Sequence, residues 1–237
     1  IYAIFNCFKY KKVIVHLKKR KSIFLWFLKR VTGRLKIFTD YEGDPLNEKE
    51  YLETNPSPNN SYHKEINTLE KEIIYQKKFI HKFDGVHVSS PEMYQNYEER
   101  FKQRNLECIP TGFNESNFYP NEDLRRKIRK NLHLSSHEKV FIYSGNLFYS
   151  WQNLDETCKF FSDIQDMHHS KLLILTRLED FTIAEHFCKK YKIDKNKLII
   201  KNVENNEVNS HLNAADFGIL LRKNHPMNKL CSPGKVG

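Results

Sequence analysis

Val140-Phe141-Ile142-Tyr143-Ser144-Gly145-Asn146 is the stretch on which the fold turns. β-Branched and aromatic residues suit a buried strand, and serine, glycine and asparagine end it. Further apolar runs at 172–175, 198–200 and 217–221 have the same character. Helical periodicity fills the gaps at about 154–164, 180–191 and 204–214. Strand, helix, strand, helix in this rhythm predicts half of a doubly wound α/β sheet. Ligands of such sheets bind beyond the carboxyl ends of the strands. The residues there are Ser144-Gly145-Asn146, Thr176-Arg177, Lys201-Asn202-Val203 and Arg222-Lys223.

The preceding half carries a second alternation. Val13-Ile14-Val15, Leu35-Lys36-Ile37-Phe38 and Gly85-Val86-His87-Val88 read as strands, and Glu107-Cys108-Ile109 as a shorter one. Residues 54–62 are rich in turn formers and read as a loop. A helix follows with Ile66, Leu69, Ile73 and Ile80 on one face. Ser90 suits a helix cap and Pro91 its first position, after which Met93, Tyr97 and Phe101 recur at helical spacing. Pro110-Thr111-Gly112 opens a crossing between domains, which predicts a first domain over 1–112 and a second over 113–237. In the helix that begins at Glu122, acidic residues come first and Arg125, Arg126, Lys127, Arg129 and Lys130 later, the order that complements a helix dipole.

Several residues at strand ends carry chemistry. Gly145 lets backbone amides approach a diphosphate, although a lone glycine after a strand also serves as an ordinary turn. With no G-x-G in the chain, the dinucleotide fingerprint is excluded. Arg177 and Arg222 present guanidinium groups suited to bidentate phosphate contact, or to solvent. Ser232-Pro233-Gly234-Lys235 offers a hydroxyl, small-residue amides and an ammonium for a pyrophosphate, or else a plain loop entering a helix. His16 closes the first strand. Asp40, Glu42 and Asp44 group three carboxylates at the end of the second, where one can act as a general base or all can be surface charge. There is no D-x-D pair of the kind that clamps a metal on a sugar diphosphate.

The 237 residues carry a net charge of +10, with 39% hydrophobic and 13% aromatic residues. That composition supports a globular core and excludes a disordered chain. The basic balance favours phosphate-bearing partners, or a lysine-rich solvated surface. The five cysteines are odd in number, with neither C-x-x-C nor zinc spacing, and predict reduced thiols in a cytoplasmic protein. No apolar run reaches the length of a spanning helix. The segment 18–30 places Lys18-Lys19-Arg20-Lys21 before Ile23-Phe24-Leu25-Trp26-Phe27-Leu28 and Lys29-Arg30. Such a basic, aromatic helix fits an anionic membrane interface, or burial under other N-terminal elements. Ile1 in place of Met, and a stop at Gly237 inside a motif, read as cut ends.

Taken in order, these pieces resemble family 4 glycosyltransferases of the GT-B fold over most of the chain. Asp84-Gly85-Val86-His87-Val88-Ser89 is similar to the strand near the end of their N-terminal domain, with Met93 in the helix that follows. Ile109-Pro110-Thr111-Gly112-Phe113-Asn114 resembles their "PNGVD" hinge, and Phe118-Tyr119-Pro120 the "F-x-P" after it. The helix carrying Arg125 and Arg129 and ending at Leu134 is similar to their "R-x-x-x-R-x-x-L-x-L". Phe141-Ile142-Tyr143-Ser144-Gly145 resembles "vYsG", Ala214-Ala215-Asp216-Phe217-Gly218-Ile219-Leu220 "aaDlgll", and Ser232-Pro233-Gly234-Lys235-Val236 "SPtKf".

The resemblance implies an α/β protein with two Rossmann-like domains and parallel sheets, both incomplete here. A nucleotide-sugar donor would bind the C-terminal domain, and a glycan or lipid-linked acceptor the N-terminal one. Transfer would be retaining and metal-free, with no cofactor beyond the nucleotide-diphosphate sugar itself. Gly145 and Asn146 would approach the diphosphate or sugar, with Arg177 beside the phosphates and Val203 against the base. Arg222, Ser232 and Lys235 would hold diphosphate and sugar, while His16 and Glu42 would face the acceptor. Gln152 stands where the family usually has a lysine, Glu42 where arginine is common, and Leu230 in the region of the first of two glutamates. A bacterial surface polysaccharide or glycolipid would be the product. The enzyme would be cytoplasmic, peripheral on the inner membrane face through 18–30, and inactive over these residues alone. Two other functions compete: a nucleotide-sugar epimerase of the same fold, and a basic nucleic-acid binder. The second requires clustered Lys and Arg with exposed aromatics between them, whereas the sequence spreads its basic residues and sets no nucleic-acid partner.

Overall fold

The computed structural model describes residues 10–18, 23–55, 62–103, 105–147, 150–167 and 169–232. The chain divides into two compact units, one built from 1–112 with 224–237 and the other from 113–223. The sequence carries its second domain through 237, but α9 (Pro226–Leu230) packs with the first unit. The cause is apolar: Met227 and Leu230 are buried, and Leu230 joins the first unit's core. The Ser90 hydroxyl donates to the Leu230 carbonyl at 2.7 Å.

In the first unit, β1 (Val13–Lys18), β2 (Leu35–Tyr41), β3 (Gly85–Val88) and β4 (Leu106–Cys108) form one sheet in that order, every pair parallel. Between them run α1 (Ile23–Thr32), α2 (Pro45–Thr54), α3 (Tyr62–Phe79) and α4 (Pro91–Phe101). Leu69, Phe79 and Ile80 point into the core, as do Met93, Tyr97 and Phe101 from α4. Ser90 caps α4 by accepting from the Met93 N–H at 3.1 Å, with Pro91 at the first helical position. Asp84 ties three elements together. It accepts from Lys29 of α1 at 2.6 Å, Lys36 of β2 at 2.9 Å and the Ile37 N–H at 2.8 Å. Burial alone raises a carboxyl pKa, but these three partners hold that of Asp84 below its ordinary value. Of the turn-rich stretch at 54–62, residues 56–61 lie outside the described residues.

The second unit holds α5 (Glu122–Asn131), β5 (Lys139–Ser144), α6 (Leu154–Ile164), β6 (Ser170–Leu175), α7 (Phe181–Lys190), β7 (Leu198–Lys201), α8 (Val208–Ala214) and β8 (Phe217–Gly218). Its sheet runs β7-β6-β5-β8, all parallel. One face packs on α6 and α7 through Leu154, Cys158, Phe161, Ala184 and Cys188. The other packs Val140, Ile142, Leu173 and Leu175 against Leu134. The strand expected over 217–221 shrinks to two paired residues. It has no neighbour on its far side among the described residues, and Phe217 is half exposed. The basic residues of α5 do more than complement a dipole. Arg125 and Arg129 reach Asp216 at 2.8 and 3.4 Å and also bond the carbonyls of Ala214 and Ala215. Asp216 in turn accepts from the Val140 N–H at 2.8 Å, which locks α5 to the start of β5.

Candidate functional site

Parallel pairing brings distant residues of the first unit to one sheet end. Asp40 is the register partner of His87, and His16 that of Phe38, so residues far apart in sequence share one face. His16 Nε2 lies 3.4 Å from Asp40 Oδ1. The His16 and His87 rings stack with centroids 5.9 Å apart, and the Phe38 ring tilts against His87 at 6.3 Å. Gly85 makes room for this group: a Cβ there would lie 2.6 Å from the Phe38 ring. A cavity of about 370 Å³ opens at this end, lined by His16, Asp40, Glu42, His87, Ser89 and the stretch from Ile109 to Gly112. Ser89 fixes its floor by donating to the Glu42 carbonyl at 3.1 Å.

His16 and Glu42 therefore share one cavity with Asp40, a member of the strand-end carboxylate cluster, and with His87, a residue the sequence had not placed in a site. The His87 signal lay in its position at the end of a strand, two residues after a glycine, but its partner is visible only through the parallel register. The third carboxylate of the cluster, Asp44, has a different role. It is fully buried and caps α2, accepting from the Asn47 N–H at 3.2 Å. Arg100 grips it with two hydrogen bonds of 2.6 and 3.0 Å, and the Tyr97 hydroxyl donates to it at 3.1 Å. Burial pushes its pKa up, but the hydrogen bonds and charge of Arg100 outweigh that and hold it below the ordinary value. Asp44 is a structural anion and takes no part in acid–base work.

In the second unit, the ends of β5 and β6 meet. Arg177 Nη2 donates to Asn146 Oδ1 at 2.7 Å, and the same guanidinium reaches Glu179 at 3.1 Å and Asp180 at 3.4 Å. Asp180 is buried and organises the loop: it accepts from the Leu147 N–H at 3.0 Å and the Thr176 hydroxyl at 3.3 Å. Asn202, beyond β7, donates to the Thr176 carbonyl at 3.1 Å. The Gly145 N–H is taken up by the Leu175 carbonyl at 2.9 Å. The sheet ladder thus extends one residue past β5. Val203 packs partly buried against the core cluster of Leu134, Val140, Ile142, Leu173 and Leu175. Arg222 lies close enough to Tyr143 for its charge to oppose the rise that burial gives the Tyr143 pKa.

Gly145, Asn146 and Arg177 are thus neighbours at one strand-end cluster that also includes Thr176, Asp180 and Asn202. Asp180 was missed because its role depends on burial, although its spacing three residues after Arg177 was readable. Ser232 belongs to the first unit, and Lys235 lies outside the described residues. Lys19 to Ser22, most of the basic run in 18–30, also lie outside them. In α1 the described apolar residues divide: Leu28 is buried, while Phe24, Phe27 and Val31 are exposed. No helix among the described residues is long and apolar enough to cross a membrane.

Two successive Rossmann-like units, each a parallel sheet with polar residues at its carboxyl end, make this a protein of the GT-B fold. Solved structures agree. A glycosyltransferase from Rickettsia africae ESF-5 matches with a TM-score of 0.61 at 17% identity, over 93% of this chain and 56% of the other. Anabaena Alr3699/HepE, in complex with UDP and glucose, matches with a TM-score of 0.59 at 10% identity, over 93% of this chain and 55% of the other. WaaG, a glycosyltransferase involved in lipopolysaccharide biosynthesis, matches with a TM-score of 0.54 at 10% identity, over 89% of this chain and 75% of the other. The chain spans just over half the length of the first two. No family model and no curated protein matches the sequence.

Proposed function

We propose that the protein is a family 4 glycosyltransferase that moves a sugar, with retention, from a nucleotide-diphosphate sugar to a glycan or lipid-linked acceptor. The observation that carries this is the pair of chemically distinct strand-end sites, one in each unit. An imidazole–carboxylate cavity in the first suits hydroxyl groups, and an amide–guanidinium cluster in the second suits phosphates. The order of motifs along the chain supports the family. The UDP and glucose held by Alr3699/HepE support the donor class, and the pathway of WaaG supports a role in bacterial surface polysaccharide or glycolipid synthesis.

In this reading Asn146 and Arg177 contact the diphosphate, and Gly145 leaves room for it. Val203 packs on the base, and Arg222 holds the diphosphate and sugar. His16 and Glu42 face the acceptor, with Asp40 and His87 fixing the His16 ring. No metal takes part, in keeping with the missing D-x-D pair. The protein works in the cytoplasm, with 18–30 on the anionic inner membrane face; the exposed Phe24 and Phe27 of α1 supply the apolar contact.

The test is transfer itself. The full-length protein is incubated with UDP-glucose, UDP-N-acetylglucosamine or GDP-mannose and a bacterial lipid extract, with and without EDTA. The expected product is a lipid heavier by one sugar residue, formed equally in EDTA. Absence of any sugar adduct with all three donors refutes the transferase reading, and loss of the adduct in EDTA refutes the metal-free one.

A further inference from the structure

A groove of about 720 Å³ lies in the second unit, lined by Glu185, Cys188, Lys189, Lys192, Ile193, Lys195, Leu198 and Ile200. It is separate from the strand-end cluster of that unit. Its walls are α7, which carries Glu185, Cys188 and Lys189, the loop after it with Lys192, Ile193 and Lys195, and β7, at the edge of the sheet among the described residues. Its floor is apolar: Cys188 and Ile193 are buried, and Leu198 and Ile200 are half-buried. Its rim is cationic, with three lysines and one glutamate.

Several lysines of this unit are neutralised by carboxylates. Lys190 pairs with Asp155 at 2.7 Å, Lys197 with Asp166 at 2.5 Å and Lys171 with Glu138 at 3.2 Å. None of the three rim lysines has a side-chain partner among the described residues. Lysines also protect exposed sheet edges from unwanted pairing, but they do so on the edge strand itself. Here β7 is Leu198-Ile199-Ile200-Lys201, three aliphatic residues and one lysine, and the rim charges sit on α7 and the loop after it. An apolar floor with an unneutralised cationic rim, next to an outermost strand, fits recognition of an anionic chain with apolar anchors. A concave groove suits a peptide segment better than a flat lipid surface.

We propose that this groove docks an acidic peptide segment of a partner protein, its apolar residues on Leu198 and Ile200 and its carboxylates on Lys189, Lys192 and Lys195. The probe is a fluorescent synthetic peptide alternating Asp or Glu with Leu or Phe; its control carries Lys in place of every acid. Anisotropy with the whole protein should show saturable binding of the acidic peptide alone, weakened by salt. The variant with Lys189→Glu, Lys192→Glu and Lys195→Glu should bind it at least about tenfold more weakly. All three positions are exposed, so circular dichroism of that variant should match the parent. Equal binding of both peptides, no saturation, or unchanged affinity in the triple variant overturns the proposal. Two other results also overturn it. Binding of anionic vesicles that the triple variant abolishes, without peptide binding, assigns the groove to lipid. Self-association that the triple variant abolishes assigns it to a second copy of the chain.

Discussion

Arg100→Met separates the structural carboxylate of the first unit from its catalytic candidates. The change keeps an apolar stem of similar length but removes both hydrogen bonds from Arg100 to Asp44, at 2.6 and 3.0 Å, and the 2.9 Å bond to Gln76. Asp44, with no exposed surface, then keeps only Tyr97 and Asn47 as partners. Stranding a buried charge in this way costs about 3–5 kcal/mol. With a urea slope of about 2 kcal/mol/M, the midpoint should fall by about 1.5–2.5 M. Trp26, packed between Phe79 and Phe83, reports on this unit in a Trp151→Phe background.

The pH dependence has a definite sign. In the parent protein the folded pKa of Asp44 is lowered. Its contribution is therefore complete above the unfolded value of about 3.9 and is lost as pH falls through the lowered one. In the variant only the Asn47 and Tyr97 hydrogen bonds remain to oppose burial, so the folded pKa moves up and Asp44 contributes less to the fold at neutral pH. The gap between the two proteins should be widest near neutrality and close towards acid. A midpoint shift under about 0.5 M, or a gap that does not change with pH, refutes the assignment of Asp44 as an Arg100-held anion.

Asp216→Ala should cost about 3 kcal/mol at neutral pH, because Arg125, Arg129 and the Val140 N–H lose a common acceptor. Denaturant unfolding of the second unit measures it. The same carboxyl has a lowered pKa, since Val140, Arg125 and Arg129 outweigh its burial, so its contribution should fade only as pH drops below the ordinary carboxylate range. Arg177→Ala should weaken nucleotide-sugar binding by about 1.5–3 kcal/mol, the size of a charge-assisted hydrogen bond, with little change in stability. Calorimetric titration checks it, and unchanged affinity removes Arg177 from the donor site. Gly85→Ala should lower the stability of the first unit by about 1–3 kcal/mol through the Cβ clash with Phe38; a neutral substitution contradicts the packing that sets His87.

Local sequence pattern encodes much of this arrangement. Strand-end residues such as Asn146 and Arg177 were legible because a strand's apolar run and its terminating turn are encoded within a few neighbours. What stayed hidden depends on pairing or burial. Asp40, Glu42 and Asp44 look alike in the sequence, yet one lies beside His16, one lines a cavity and one is a buried cap. Only the fold of α4, which brings Arg100 over the end of β2, distinguishes them. The His16–Asp40–His87 group needs three strands in parallel register, a long-range property. The Gly145 amide depends on how far the ladder with β6 extends. Residues 224–232 joined the first unit because Met227 and Leu230 found an apolar surface there, which periodicity over so short a helix does not specify.

Calorimetric titration of UDP-glucose, and then of GDP-mannose, into the protein tests the central claim most directly. The account predicts saturable binding of at least one donor with a Kd well below about 1 mM, equivalent to more than about 4 kcal/mol. Arg177→Ala should weaken it, and Arg100→Met should leave it intact below the unfolding transition. Binding of neither donor below about 1 mM, or binding indifferent to Arg177, contradicts it.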